Sequence, residues 1–343
     1  MYGRTGLKEH EMVDNRTLMQ NIMEQTQTNF HIMDSYLKAN SILSRYRNPV
    51  VSISGGSDSD IMLDIFTRLD TEKKCRYVWF DTGIEYRATK DHLKYLEQRY
   101  GIIIERERAI KPIPVSCQEC GQPFWSKFVS EMIERLQKHG FQWEDDSFEN
   151  LTMKYPGCRA ALKWWTNHCD KPTDQGSRFH ISNVRGLKEF MLKNPPSFLI
   201  SNKCCTFAKK EVSARYVKKS GCDLMIVGIR KSEGGIRSTI YKNCFTNNDI
   251  DDSHVSQYRP LFWYDTDDKK VYDQIFNIKH SDCYEVYGFS RTGCVGCPYG
   301  QNLKDELFAM EKFEPGLFKL ATCIFKDTYD YTMRFKEFRN QNN

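Results

Sequence analysis

The 343-residue sequence has no apolar run of the length a membrane span needs. Its opening stretch, MYGRTGLKEHEMVDN, lacks the apolar centre of a secretory signal. Together these absences predict a soluble cytoplasmic chain with no membrane partner. Charge of one sign is also scarce. A net charge of +5 with 28% charged residues suits an anionic substrate but does not by itself indicate nucleic acid. Internal repeats and low-complexity segments are missing. So are the Gly-Lys-Ser/Thr ending of a Walker A loop, the GxGxxG fingerprint and the HExxH metal motif.

Cysteine, by contrast, is plentiful: there are 13. Disulfide frameworks belong mainly to small secreted domains, so metal ligation or redox chemistry is the better reading for some of them. The rest read as small core residues. The 40% hydrophobic content is ample for one large core, or a core with an appendage.

Periodicity predicts an α/β order. Leu18, Ile22, Met23, Phe30, Met33 and Leu37 recur at helical spacing across 14–46. Strands are expected at 49–54, 75–80 and 102–104, with helices after the first two. That order implies a parallel sheet with right-handed crossovers. Residues 121–200 break the pattern and read as a helical insertion covering one sheet edge. The alternation resumes with a helix at 207–219, a buried strand at 223–228 and a helix at 267–276. A helical tail rich in Phe and Tyr spans 303–340. The domain expectation is an N-terminal helical segment (1–46), a main domain (47–302) with its insertion at about 121–200, and the tail (303–343).

Between the first strand and its helix lies Ser54-Gly55-Gly56-Ser57-Asp58-Ser59. Glycines let the backbone turn sharply and approach a ligand. Backbone N–H groups, serine hydroxyls and a helix N-terminus together suit an anion. An ordinary turn is the plainer alternative. The loop matches in full the Ser-Gly-Gly-x-Asp-Ser signature. It therefore resembles the PP-loop ATP pyrophosphatase, or adenine nucleotide alpha hydrolase, superfamily. That superfamily includes ATP-dependent amidases and thiolases, ATP sulfurylase subunits and the sulfonucleotide (PAPS/APS) reductases. The resemblance implies a doubly wound, mostly parallel α/β sheet and binding of ATP or PAPS/APS, with Mg2+ as an open accessory.

Two further segments resemble the PAPS reductase-like branch. Asp81-Thr82-Gly83, followed by Thr89, is similar to its Asp-Thr-Gly segment beside the nucleotide, although Ala88 replaces the acidic residue before that threonine. Gly228-Ile229-Arg230 through Arg237 is similar to its basic loop, with Arg230, Glu233 and Arg237 in the matching places. Guanidinium forks suit phosphate or sulfate. A solvated basic loop is the alternative.

Cys204-Cys205 and Cys294-Val295-Gly296-Cys297 form the sharpest cysteine pattern. Four thiolates suit either zinc or an Fe–S cluster. A vicinal pair followed by Cys-x-x-Cys resembles the [4Fe–4S] site of APS reductases. Pro260-Leu261, Asp267-Asp268, Tyr272, Tyr284 and Tyr287-Gly288 resemble the run that leads into that site. Cys117 and Cys120 form a second Cys-x-x-Cys, either a redox dithiol, half a metal knuckle or two unrelated thiols. Cys158 and Cys169 are possible partners for it. Cys75, Cys222 and Cys323 read as structural.

One departure matters. The reductases' Glu-Cys-Gly-x-His segment, which carries their catalytic cysteine, is not among these residues. A complete PP-loop, moreover, is the mark of ATP-cleaving members. The sequence therefore points first to ATP-dependent adenylation and sulfur transfer to an acceptor, with Asp58 as a catalytic candidate. A nucleic acid acceptor, a sulfur- or electron-donor protein and a homo-oligomer are open. PAPS or APS reduction, with Cys117, Cys120 or an external thiol replacing the absent cysteine, is the second expectation. A nucleotide or redox sensor without turnover is the third.

Overall fold

The computed structural model describes residues 15–26, 29–171, 173, 177, 179–234, 240–247, 255–300 and 302–341. The chain divides into two compact units. One comprises Met1–Trp79, Asp91–Glu105 and Val217–Ser281; the other comprises Phe80–Lys90, Arg106–Tyr216 and Asp282–Asn343. The boundary cuts two strands, after Trp79 and after Glu105.

The first unit is built on a six-stranded sheet in the order β3-β2-β1-β4-β6-β5. The strands are β1 (Pro49–Ile53), β2 (Arg76–Asp81), β3 (Ile104–Arg108), β4 (Leu224–Val227), β5 (Phe245–Thr246) and β6 (Ser256–Tyr258). β1 pairs in parallel with β2 and β4, and β4 with β6; β5 is antiparallel to β6. Pro49 opens β1, where a missing N–H is tolerated. The β-branched run behind it is buried. The mostly parallel α/β sheet expected from the alternation is therefore present.

Three corrections follow. The expected helix over 14–46 is two helices, α1 (Asn15–Thr26) and α2 (Phe30–Leu43), because the Asn29 side chain caps α2 by accepting from the Ile32 N–H. The third strand begins at Ile104 rather than 102, and its alternating Glu and Arg side chains hid it. Cys323, read as structural, is exposed.

Helix α3 (Ser57–Leu69) follows β1 and buries Ile61, Met62, Leu63, Ile65 and Phe66. Each such side chain contributes about 1.5–3 kcal/mol by leaving water. Buried polar groups fix the helix rotation. Asp64 accepts from Arg68 Nε (2.7 Å), Tyr100 Oη (2.9 Å) and Tyr272 Oη (2.7 Å). One turn earlier, Asp60 Oδ2 lies 3.0 Å from His92 Nε2 and 2.8 Å from His280 Nδ1. His280 Nε2 reaches Asp273 at 3.1 Å. His92 belongs to α4 (Arg87–Tyr100).

The second unit holds two apolar clusters. The larger collects Phe124, Ile133, Leu136, Trp164, Trp165 and Phe190 from 124–191 with Tyr331 and Phe335 of the helix Lys326–Gln341. Phe190 lies 5.0 Å from Tyr331 and 5.2 Å from Phe335 between ring centroids. The aromatic residues of the tail thus complete the core of the inserted helices. The smaller cluster contains Ile84, Tyr86, Ile113, Cys117, Cys204, Val295 and Phe325. The tail is three helices, Leu303–Phe313, Pro315–Ile324 and Lys326–Gln341. No helix among the described residues is long and apolar enough to cross a membrane.

Burial alone would lower the His280 pKa, but its hydrogen bonds to Asp273 and Asp60 outweigh that and push it up to about 9. Burial alone would raise Asp60, yet the two histidines hold it low. Stability from His280 is therefore complete below its unfolded pKa of about 6.5 and is lost as pH rises through about 9. Asp60 contributes above its unfolded value of about 3.9 and fails only in acid. The urea midpoint should fall between pH 6.5 and 9.5 in the parent protein. His280→Gln should be about 3 kcal/mol less stable at pH 6 and show a flatter profile over that interval. Equal slopes in the two proteins would contradict this role.

Candidate functional site

In the first unit, β1 delivers Ser54 to the turn and Gly55 adopts φ +69°, a conformation that favours glycine. Gly56 caps α3. Its N–H donates to Ser59 Oγ at 3.1 Å, and that hydroxyl donates back to Gly56 O at 2.8 Å. The Ser59 N–H donates to Gly56 O at 2.8 Å, so the N–H groups of Ser57 and Asp58 are those that open α3 without a carbonyl one turn back.

The strand order reverses between β1 and β4. Adjacent C-terminal strand ends at such a reversal are where open α/β sheets bind ligands. β1 leads there through the glycine turn to Asp58 in the first turn of α3, and β4 leads to Arg230. Arg230 Nε donates to both Asp58 carboxylate oxygens at 3.0 Å. Its Nη1 donates to Ser232 Oγ at 3.0 Å, which donates in turn to Tyr264 O at 2.8 Å. Glu233 is half-buried in the turn Lys231–Glu233. Arg237 lies outside the described residues.

Sequence reasoning missed Lys269. Its Nζ lies 2.6 Å from Asp58 Oδ1 and donates to Ser57 Oγ at 2.6 Å. Lys269-Lys270 reads as a solvated helix face, and only the fold shows that the two differ. Lys270 turns to the exposed Asp267.

Asp81, Thr82 and Gly83 belong to the second unit, as do Cys117, Cys120, Cys204, Cys205, Cys294 and Cys297. Asp81 is buried and accepts from Arg106 Nε at 2.7 Å and from the Gly83 N–H at 2.9 Å. Gly83 has φ +88°, and a side chain there would come within 2.6 Å of Pro112 Cβ. Thr82 donates its hydroxyl to Glu85 Oε1 at 2.6 Å. Burial raises the Glu85 pKa, opposed by Thr82 and by the charge of Lys209.

Lys209 ties this segment to the cysteines. The interaction with the Cys294 sulfur beside it raises the Lys209 ammonium above the ordinary lysine value. Cys204 and Cys205 sit on the short turn Lys203–Cys205, which runs into a π-helical turn, Thr206–Lys210. Such turns often mark functional sites. The Cys294–Cys297 turn closes through Cys297 N–H to Cys294 O at 3.1 Å, with Gly296 at φ +58°. Tyr329 Oη donates to Gly296 O.

All four thiols have raised pKa values. The side-chain contact with Cys117 raises Cys204, opposed by the contact with Cys205, and the contact with Cys204 heads the causes at Cys205. Burial leads at Cys294, against Lys209, and pushes Cys297 up to about 12. Cys294 and Cys205 also press on Cys297 by like charge. These sulfurs therefore share one electrostatic neighbourhood. Among the described residues, no three Cys, His, Asp or Glu side chains are arranged to hold a single metal ion. The donor set is nonetheless all sulfur. Thiolates pressed together in this way need a cationic centre to stay ionised.

Cys117 and Cys120 share the helix Ile113–Cys120 but not an environment. Cys117 is buried against Cys204, whereas Cys120 is only half-buried. Cys158 is buried in the larger cluster, and half-buried Cys169 has its sulfur 3.6 Å from His180 Nε2. Cys75 and Cys222 are buried, as expected of structural residues.

Residues 48–151 match the family model described as the phosphoadenosine phosphosulfate reductase domain. No curated protein sequence matches the chain. Among solved structures, it is similar to the phosphate complex of phosphoadenylyl-sulfate (PAPS) reductase from Candida auris, at 12% identity over 85% of this chain and 98% of that one, with a TM-score of 0.43. FMN adenylyltransferase from Candida glabrata with ATP gives 11% identity over 83% and 73%, TM-score 0.43. The U34-tRNA thiolase NcsA from Methanococcus maripaludis with its [4Fe–4S] cluster gives 13% over 89% and 80%, TM-score 0.37. Likenesses this distant carry no functional argument. The family match is confined to residues 48–151, the stretch that carries the complete Ser54–Ser59 loop at the reversal of a mostly parallel sheet.

Proposed function

We propose that the protein is an enzyme that binds ATP at the Ser54–Ser59 loop, cleaves it between the α- and β-phosphates to adenylate an acceptor, and then directs sulfur to that acceptor. The observation that carries this reading is the Asp58 carboxylate at the sheet reversal, held by Arg230 and Lys269 beside a glycine turn. Cations at the start of a helix complement phosphate. Ser54, Gly55, Gly56, Ser57 and Ser59 form the cradle. Arg230 meets the phosphates, with Glu233 and Arg237 on the same loop and Mg2+ as a further counter-charge. Asp81, Thr82 and Gly83 are proposed as nucleotide-binding residues on the resemblance of their segment alone.

In this reading Cys204, Cys205, Cys294 and Cys297 hold a [4Fe–4S] cluster, and the all-sulfur donor set with its shared charge supports that assignment. When bound, such a cluster supplies electron transfer or a site for sulfur. The chain's own groups do the rest. Lys209 balances thiolate charge at Cys294. Gly296 allows the turn that aims Cys297. Zinc is the competing occupant.

A second reading, reduction of PAPS or APS, is favoured by the family match over residues 48–151 and by the placement of Cys117 against Cys204. In it, the Cys117 thiolate would attack the sulfonucleotide sulfur, and the S–O bond to phosphate would break. An external thiol would then release sulfite and leave a mixed disulfide.

Pyrophosphate release separates these readings. With ATP and a range of acceptors, tRNA and DNA included, the first reading expects pyrophosphate, and Asp58→Ala should lower its release about a hundredfold. No pyrophosphate with any acceptor would remove this reading. With PAPS or APS and a thiol donor, the second expects sulfite that disappears in Cys117→Ser. Sulfite release that survives that change would rule out Cys117 as the nucleophile.

A further inference from the structure

We infer that Lys269 is a phosphate-binding residue of the loop, held on Asp58 and Ser57 until a phosphate takes their place. The inference rests on the nucleotide reading above and extends it to a lysine far from the loop in sequence. Three observations bear on it.

The first is charge. Arg230 and Lys269 both contact Asp58, so these contacts set two cations against one carboxylate. The side chains are only 14–16% exposed. Excess positive charge in such a partly closed place is stabilised by an anion more than it would be in open water. The neighbouring carboxylates have other partners. Asp60 is committed to His92 and His280, and Asp268 to Asn29 and His31.

The second is position. Besides the Asp58 carboxylate, Lys269 Nζ contacts Ser57 Oγ, the first residue of α3. The ammonium therefore lies at the first turn of α3, where the N–H groups of Ser57 and Asp58 precede the helical hydrogen bonds. Lysine acts on phosphate as a point charge with three donors, and it can keep a serine contact while exchanging a carboxylate for a phosphate oxygen.

The third is rigidity. Lys269 is in the first turn of the helix Thr266–Phe276. That turn is fixed by a reciprocal cap: Asp265 Oδ1 accepts from the N–H groups of Asp267 and Asp268, and Asp268 Oδ2 accepts from the Asp265 N–H. Asn29 Nδ2 donates to Asp268 at 2.8 Å and binds the same turn to the start of α2. The backbone of Lys269 is thus pre-placed, which lowers the entropy cost of using its side chain.

The test is calorimetric titration of the full chain with sodium pyrophosphate, ATP and adenosine, for the parent, Lys269→Met and Lys269→Arg. The inference expects Lys269→Met to weaken pyrophosphate and ATP about 10- to 100-fold. Adenosine affinity should not change, and Lys269→Arg should recover most of the loss. A purely structural role would lower adenosine and ATP affinity together, and that result would overturn the inference. So would unchanged pyrophosphate and ATP binding in Lys269→Met, although the nucleotide reading would then stand. If the parent binds pyrophosphate through Lys269 but not ATP, the nucleotide reading fails and the inference holds. If it binds neither, both fail.

Discussion

Thiols gathered in one apolar setting cannot all ionise unless positive charge sits among them. The second unit brings together the sulfurs of Cys204, Cys205, Cys294 and Cys297, with Cys117 against Cys204. Each of the four has a raised pKa. Lys209 offsets part of the charge, at Cys294. Much of the local structure serves this grouping. The π-helical turn after Cys205 sets the vicinal pair, and the glycine at 296 and the hydroxyl of Tyr329 set the other turn. Glu85 joins the group through Lys209 and carries it to the Asp81–Gly83 segment.

The first unit solves the opposite problem. There, cations gather at the reversal of the sheet, and Asp58 holds them. The buried residues of α3 explain why that carboxylate stays in place. Asp60 and Asp64 face inward, one to a histidine pair and the other to Arg68 and tyrosines. Their partners fix the rotation of the helix, and with it the direction in which Asp58 points. A hydrophobic helix of the same length could slide or turn by several degrees; one pinned by buried ion pairs is specified more narrowly.

Local chemistry was legible in the sequence, and long-range chemistry was not. The Ser54–Ser59 loop could be read because its glycines and hydroxyls act on their own backbone within a few residues. Family resemblance placed Arg230 at the nucleotide, but its pairing with Asp58, 172 residues away, was not legible. Lys269 was hidden, since a Lys-Lys pair on a polar helix is ordinarily solvated and its contact is 212 residues away. Asn29 was overlooked as a cap because apolar residues on both sides kept helical spacing. The Cys117–Cys120 spacing suggested a matched pair, whereas the helix places Cys117 inward against Cys204 and leaves Cys120 half-buried. The short β6, Ser-Gln-Tyr, has no apolar alternation to reveal it.

The central proposal is that this chain, with a nucleotide bound at the Ser54–Ser59 loop, uses four cysteines to hold an iron–sulfur cluster. Anaerobic purification followed by iron, acid-labile sulfide and zinc analysis tests it most directly. The account predicts about four iron and four sulfide per chain, with both lost in Cys294→Ala. Zinc without sulfide, or an iron content unaffected by Cys294→Ala, would contradict it.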